Sequence, residues 1–368
     1  MADQLRIEHL LRKMVETKAS DLHLRVGVPP VFRINGLLQR LFTETRIDPV
    51  MMDSFLDDIM NREQKMRFEK DKECDFAVGA RDMGRFRVNV FRQRGSIAVV
   101  IRHIKAKIPA FEELHLPEIV RDLALTKRGL VLVTGTTGSG KSTTLASMID
   151  HINQNESVNV ITVEDPIEYL YRDNKAIISQ REIGVDTLSY ANALRAALRQ
   201  DPDVLLVGEI RDLETMQIAM TAADTGHMVF ATIHTTNATE TIHRVLSMYP
   251  PHQHDEVRLL LAEVLAGIIS LRLLPTKDGK GRVPASEILV NTGAIKEYIQ
   301  DKDKIDMVEQ AVAEGHIQYH SQTFDQSLLE LYTTDQISLD VAMNAATNPD
   351  DFDLKIRGIS GTSERGWM

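Results

Sequence analysis

The apolar positions change their spacing near Ile119. Upstream they alternate with polar residues or recur at helical intervals, whereas downstream they gather in short unbroken runs. From about Gln4 to Lys18, Leu5, His9, Leu10, Leu11, Met14 and Val15 share one side of an amphipathic helix. Asp21-Leu22-His23-Leu24-Arg25-Val26 alternates strictly and predicts a strand. Residues 31–34, an Asn35-Gly36 turn and residues 37–41 predict a hairpin. A helix is expected over about 49–70, then strands around 75–78, 85–91 and 97–104. Pro109 and Pro117 bracket a loop-like stretch that reads as a linker, 108–117.

Beyond it, the runs 130–134, 158–163, 204–207 and 228–233 alternate with helical patterns. Continuous apolar strands of that kind belong to a parallel sheet covered on both faces. Helices are expected to dominate after Thr241, with 257–270 the clearest, and the Pro, Asp, Gly and Ser mixture from Asn348 predicts a mobile tail. The fold class is α/β. An α+β domain over 1–107 and a linker precede an α/β domain over 118–347 with a helical C-terminal region, and a tail over 348–368 follows.

Directly after the run Leu130-Val131-Leu132-Val133 stands Gly135-Thr136-Thr137-Gly138-Ser139-Gly140-Lys141-Ser142, followed by Thr143 and an expected helix. This is G-x-x-x-x-G-K-[ST] in the strand–loop–helix setting it requires. The glycines let backbone N–H groups turn toward phosphate oxygens, and the helix N-terminus adds the positive end of its dipole. Lys141 supplies a charge for the β- and γ-phosphates, and the Ser142 hydroxyl is a ligand for Mg²⁺. The chain is therefore expected to bind ATP with Mg²⁺.

Composition narrows the context. A net charge of −10 argues against a general grip on nucleic acid, so no stable nucleic-acid binding is expected. The single cysteine, Cys74, rules out an intrachain disulfide and a four-thiolate zinc site. No apolar run approaches a membrane span and the start Met1-Ala2-Asp3-Gln4 lacks a signal-peptide core, so a cytoplasmic location is expected.

Hydrolysis needs more than a phosphate loop. In Asp203-Val204-Leu205-Leu206-Val207-Gly208-Glu209 an apolar strand delivers Glu209 to its C-terminal end, the position of a Walker B acid, although Gly208 stands where an Asp is usual. Glu209 is the candidate to polarise the attacking water. Glu164-Asp165-Pro166-Ile167-Glu168 also follows a strand, and Glu164 is a candidate to hold Mg²⁺ through a water. His227 and His234 bound one strand and lie at opposite ends, so they cannot share a metal; His234 is at the phosphate edge. Arg85, Arg87, Arg92, Arg94 and Arg102 crowd two strands of the first domain, either as a solvated face or as groups that reach the triphosphate.

Together these motifs resemble the retraction ATPases of type IV pili, the PilT/PilU group of the secretion-ATPase superfamily. The resemblance rests on Ala19-Ser20-Asp21-Leu22-His23-Leu24, Gly84-Arg85-Phe86-Arg87-Val88-Asn89, the phosphate loop, the acidic segment 164–168, Val207-Gly208-Glu209-Ile210-Arg211-Asp212, and Thr225-Gly226-His227 through His234-Thr235-Thr236. It implies a PAS-like N-terminal domain, a RecA-like ATPase domain and a homohexameric ring that drives pilus disassembly. It also implies Glu209 as general base, a γ-phosphate role for His234, and nucleotide-approaching roles for Arg85, Arg87 and Arg102.

The implied partners are a PilT-like retraction ATPase and an inner-membrane pilus platform protein, giving peripheral association at the pilus base. Where PilT-type motors carry Ala-Ile-Arg-Asn-Leu-Ile, this chain reads Ala294-Ile295-Lys296-Glu297-Tyr298-Ile299, which favours the PilU-like accessory branch. The lone cysteine speaks against assembly-type members with a four-cysteine zinc module. Alternatives are a secretion or DNA-uptake ATPase of the same superfamily, or an ATP-binding scaffold that reinforces a partner ring.

Overall fold

The computed structural model describes residues 5–34, 36–81, 83–104 and 108–357. Asn35 of the expected Asn35-Gly36 turn and the tail from residue 358 lie outside the described residues. Contacts divide the chain into two compact units, residues 1–107 with 168–170, and residues 108–167 with 171–368.

The first unit is built on strands β1 (Asp21–Arg25), β2 (Val31–Ile34), β3 (Leu37–Gln39), β4 (Glu73–Ala80), β5 (Gly84–Gln93) and β6 (Ser96–Ile104), ordered β3-β2-β1-β6-β5-β4 and antiparallel throughout. Alternation decides its two faces. Phe32, Leu22, Ile101, Val88 and Phe76 are cross-strand neighbours on one face, and they join residues of helices Ile7–Glu16, Pro49–Ile59 and Arg62–Asp71 in one core. The opposite face carries the row Arg33, Asp21, Arg102, Arg87. The single helix expected over 49–70 is two helices. They are broken at Met60 and Asn61, where Asn61 and Gln64 form a reciprocal capping box.

The second unit adds β7 (Gly129–Thr134), β8 (Asn159–Glu164), β9 (Ile177–Glu182), β10 (Val204–Val207), β11 (Met228–Ile233), β12 (Leu265–Pro275) and β13 (Arg282–Val290). The order is β13-β12-β7-β11-β10-β8-β9, parallel except for β13 at one edge. Helices cover both faces, so β7, β10 and β11 are buried along their whole length. The stretch 257–270, expected as one helix, is the end of helix His254–Val264 followed at once by β12. The region after Thr241 therefore holds a long antiparallel strand pair as well as helices.

Parts of the two segments read as a linker and a mobile tail are packed. Phe111 of the 108–117 stretch is buried in the core of the second unit, with Arg121 stacked over its ring. Past Asn348 the helix Pro349–Ile356 buries Phe352 against Phe324, Leu328 and Ala342, so the expected mobile tail does not begin at residue 348.

Candidate active site

Register alone brings the chemistry of the second unit to one edge. Thr134 of β7 pairs with Ile233 of β11, while Val207 of β10 pairs with Ala231 of β11 and Val163 of β8. The next residues in each strand direction are Gly135, His234, Gly208-Glu209 and Glu164, all at the C-terminal edge where parallel α/β sheets bind ligands.

The phosphate loop has the shape of a cradle. Gly135, Gly138 and Gly140 hold φ of 137°, 81° and 106°. A Cβ at Gly135 would lie 2.4 Å from Ser139 Oγ and 2.6 Å from the Leu271 carbonyl oxygen, so only glycine fits there. Ser139 Oγ is buried without a hydrogen-bond partner among the described residues. Gly140 hands the chain to helix Lys141–Asn155. Lys141 Nζ is buried and donates to the carbonyls of Gly135 (2.7 Å) and Thr136 (2.9 Å). Burial pulls this ammonium below the usual lysine range, an effect the Glu209 charge partly offsets. A buried cation, an unpartnered hydroxyl and a loop whose first glycine has no room for a side chain fit the phosphates of a nucleotide.

Glu209 is held from two sides. Its Oε2 accepts from Arg211 Nη2 at 2.6 Å, and its Oε1 lies 3.2 Å from His234 Nε2. Burial pushes the carboxyl up, but the Arg211 hydrogen bond and charge, with His234 and Lys141, outweigh it and hold Glu209 below the ordinary range. The backbone before it is fixed as well: Gly208 N–H donates to the Val163 carbonyl (2.8 Å), and Thr232 Oγ1 donates to the Gly208 carbonyl (2.6 Å). Glu164 Oε1 accepts from Thr162 Oγ1 (2.7 Å) and Gln180 Nε2 (3.2 Å), which aims it from the end of β8.

Of the expected site residues, the phosphate loop, Glu164, Glu209 and His234 thus share one edge. Arg85, Arg87 and Arg102 belong to the first unit, where Arg87 and Arg102 are cross-strand partners. Arg102 Nε donates to Asp21 Oδ1 at 2.8 Å. Burial raises the Asp21 carboxyl, and the Arg102 and Ser20 hydrogen bonds more than reverse this, leaving it below its ordinary value. Arg211 was given no role by sequence reasoning, although its place two residues after Glu209 was the available signal. Tyr190, whose hydroxyl approaches Gly208, carried no sequence signal.

A parallel sheet with a phosphate loop at its C-terminal edge defines a P-loop nucleotide-binding protein. Residues 3–347 match the family model described as type II/IV secretion system protein. The type IV pilus ATPase PilU of Pseudomonas aeruginosa is 41% identical over 96% of this chain and 92% of its own length. The retraction ATPase PilT of the same organism is 42% identical over 94% of this chain and 99% of its own. The crystal structure of the pilus retraction motor PilT with bound ADP superposes with a TM-score of 0.89 at 46% identity, covering 94% of this chain and 98% of that one. The chain belongs to the type II/IV secretion system protein family and, within it, to the type IV pilus ATPases of the PilT/PilU group.

Proposed function

We propose that this protein is a hexameric motor that couples ATP hydrolysis to type IV pilus retraction, as a PilU-like accessory to a PilT-like ATPase. The observation that carries the enzymatic part is the Glu209 carboxylate, kept ionised by Arg211 and touching His234 at the strand edge that bears the phosphate loop. In this reading Gly135, Thr136, Thr137, Gly138, Ser139, Gly140, Lys141, Ser142 and Thr143 hold the phosphates. Ser142, with Glu164 through a water, would hold Mg²⁺, whose charge would neutralise the phosphate oxygens. Glu209 takes a proton from the attacking water, and the His234 imidazole orients toward the γ-phosphate. Arg85, Arg87 and Arg102 supply positive charge to nucleotide from the first unit.

The accessory assignment is supported by the polar face of helix Gly293–Gln300. Its Ile295 and Ile299 are buried, while Lys296 pairs with Glu263 (3.2 Å) and Glu297 with Lys304 (2.5 Å). With Tyr298, those two positions are where the sequence departs from the PilT-type stretch. The proposed partners are the PilT-like ATPase and the inner-membrane platform protein. Among the described residues no helix is long and apolar enough to cross a membrane, so membrane association is assigned to those partners.

The test is pilus retraction under load in cells lacking this protein, its PilT-like paralogue, or both, with phosphate release measured on the purified protein. A PilU-like accessory gives weakened retraction when it alone is absent. Normal retraction in all three strains, or no hydrolysis above that of Glu209→Gln, overturns the proposal.

A further inference from the structure

The residue before Glu209 is glycine, and the space over it is filled from another element. A Cβ built on Gly208 would stand 3.0 Å from the Tyr190 hydroxyl oxygen, 3.2 Å from Glu164 Cα and 3.2 Å from the Val163 carbonyl oxygen. The Gly208 backbone is outside the left-handed region, so the requirement is for room and not for glycine's conformational freedom. Tyr190 opens the helix Tyr190–Ala197, whose N-terminus is capped by the Ser189 side chain, and its ring packs on the sheet core. The hydroxyl is thereby fixed in the direction a side chain at residue 208 would take.

We propose that Tyr190 is a positioning residue of the nucleotide site: its hydroxyl stands where an acidic side chain at residue 208 would project and donates a hydrogen bond into the water shell of Mg²⁺–nucleotide. This rests on the reading of the phosphate loop and Glu209 given above. In other P-loop enzymes a Walker B aspartate holds Mg²⁺ from this strand end. Here the charges of Asp165, Glu209 and Glu164 already act on the phenol, with Arg211 as the counter-charge. A further carboxylate would add repulsion to that group, whereas a phenol supplies a polar atom without charge. Burial first, and then the Asp165 charge, push the Tyr190 phenol well above its ordinary range, so it remains a neutral donor at every working pH.

The test compares wild type with Tyr190→Phe, which keeps the ring and deletes only the hydroxyl. Two quantities are measured: affinity for ADP with EDTA and with Mg²⁺, and the Mg²⁺ concentration that gives half-maximal ATPase. Loss of one hydrogen bond predicts a rise in that concentration of about fivefold to tenfold, with metal-free ADP affinity unchanged. An unchanged Mg²⁺ requirement, or equal weakening with and without metal, would assign Tyr190 to packing alone and overturn the inference. Wild-type protein that neither binds nor hydrolyses nucleotide overturns the nucleotide-site reading itself, and the Tyr190 role falls with it.

Discussion

Arg211 Nη2 donates to Glu209 Oε2 at 2.6 Å, and this contact between residues two apart lowers the carboxyl of the candidate base. Arg211→Ala removes the hydrogen bond and charge that lower the Glu209 carboxyl and leaves burial, which raises it. A base must be ionised to act, so activity is lost when pH falls through its pKa. The acid limb of the kcat–pH profile is therefore expected to move to higher pH in the variant. An acid limb at the same pH would show that Glu209 is not the group observed.

Glu209→Gln keeps the shape of the side chain but cannot accept a proton. Hydrolysis is expected to fall by about a hundredfold or more while ATP binding persists. Lys141→Ala, in contrast, is expected to lose binding itself, because the buried ammonium is the loop's charge for phosphate. Fluorescent-nucleotide titration beside phosphate release separates the two effects.

Gly135→Ala forces a Cβ into Ser139 Oγ and the Leu271 carbonyl at a φ of 137°. Strain at such a site exceeds about 1 kcal/mol. The expected result is a lower Tm together with lost nucleotide affinity. Gly138→Ala meets no atom within 4 Å and differs only in carrying the positive φ, so its effect is expected to be smaller.

Glu287 is buried in β13 and accepts from the Ala238 N–H at 2.6 Å; burial pushes its carboxyl up to about 7. A folded-state pKa above the unfolded value means that the native state binds more protons. This group's stabilising contribution is therefore complete at pH below about 4.5 and declines as pH rises toward 7. Glu287→Gln retains an acceptor and removes the charge. It is expected to match wild type near pH 4 and to exceed it by roughly 3 kcal/mol at pH 8, read from denaturant unfolding at both pH values.

Phe352 is fully buried against Phe324, Leu328 and Ala342. Phe352→Ala is expected to cost about 3–5 kcal/mol, measured by chemical denaturation. A cost near zero would mean that the helix Pro349–Ile356 is not docked in solution.

The parallel strands were legible because a strand buried on both faces must be apolar throughout, as Leu130-Val131-Leu132-Val133 is. The junction at Val264 and Leu265 was not, since Val264, Leu265 and Ala266 are all apolar and Gly267 comes only after the strand has begun, and a buried helix end and a buried strand start have the same composition. Phe352 was hidden for a related reason: one aromatic residue among Asp and Pro shows no period. The break at Asn61 was readable in principle, because Asn61 and Gln64 have capping-box spacing.

By itself the sequence determined that a phosphate loop joins a strand to a helix, and which acids and which histidine end the neighbouring strands. Those facts are local, fixed by spacing of three or four residues and by the direction of a strand. Only the tertiary structure decided that Glu209 meets His234 and that Tyr190 fills the space over Gly208. These contacts depend on register between strands and on the approach of a separate helix, and neither is written in the spacing along one segment.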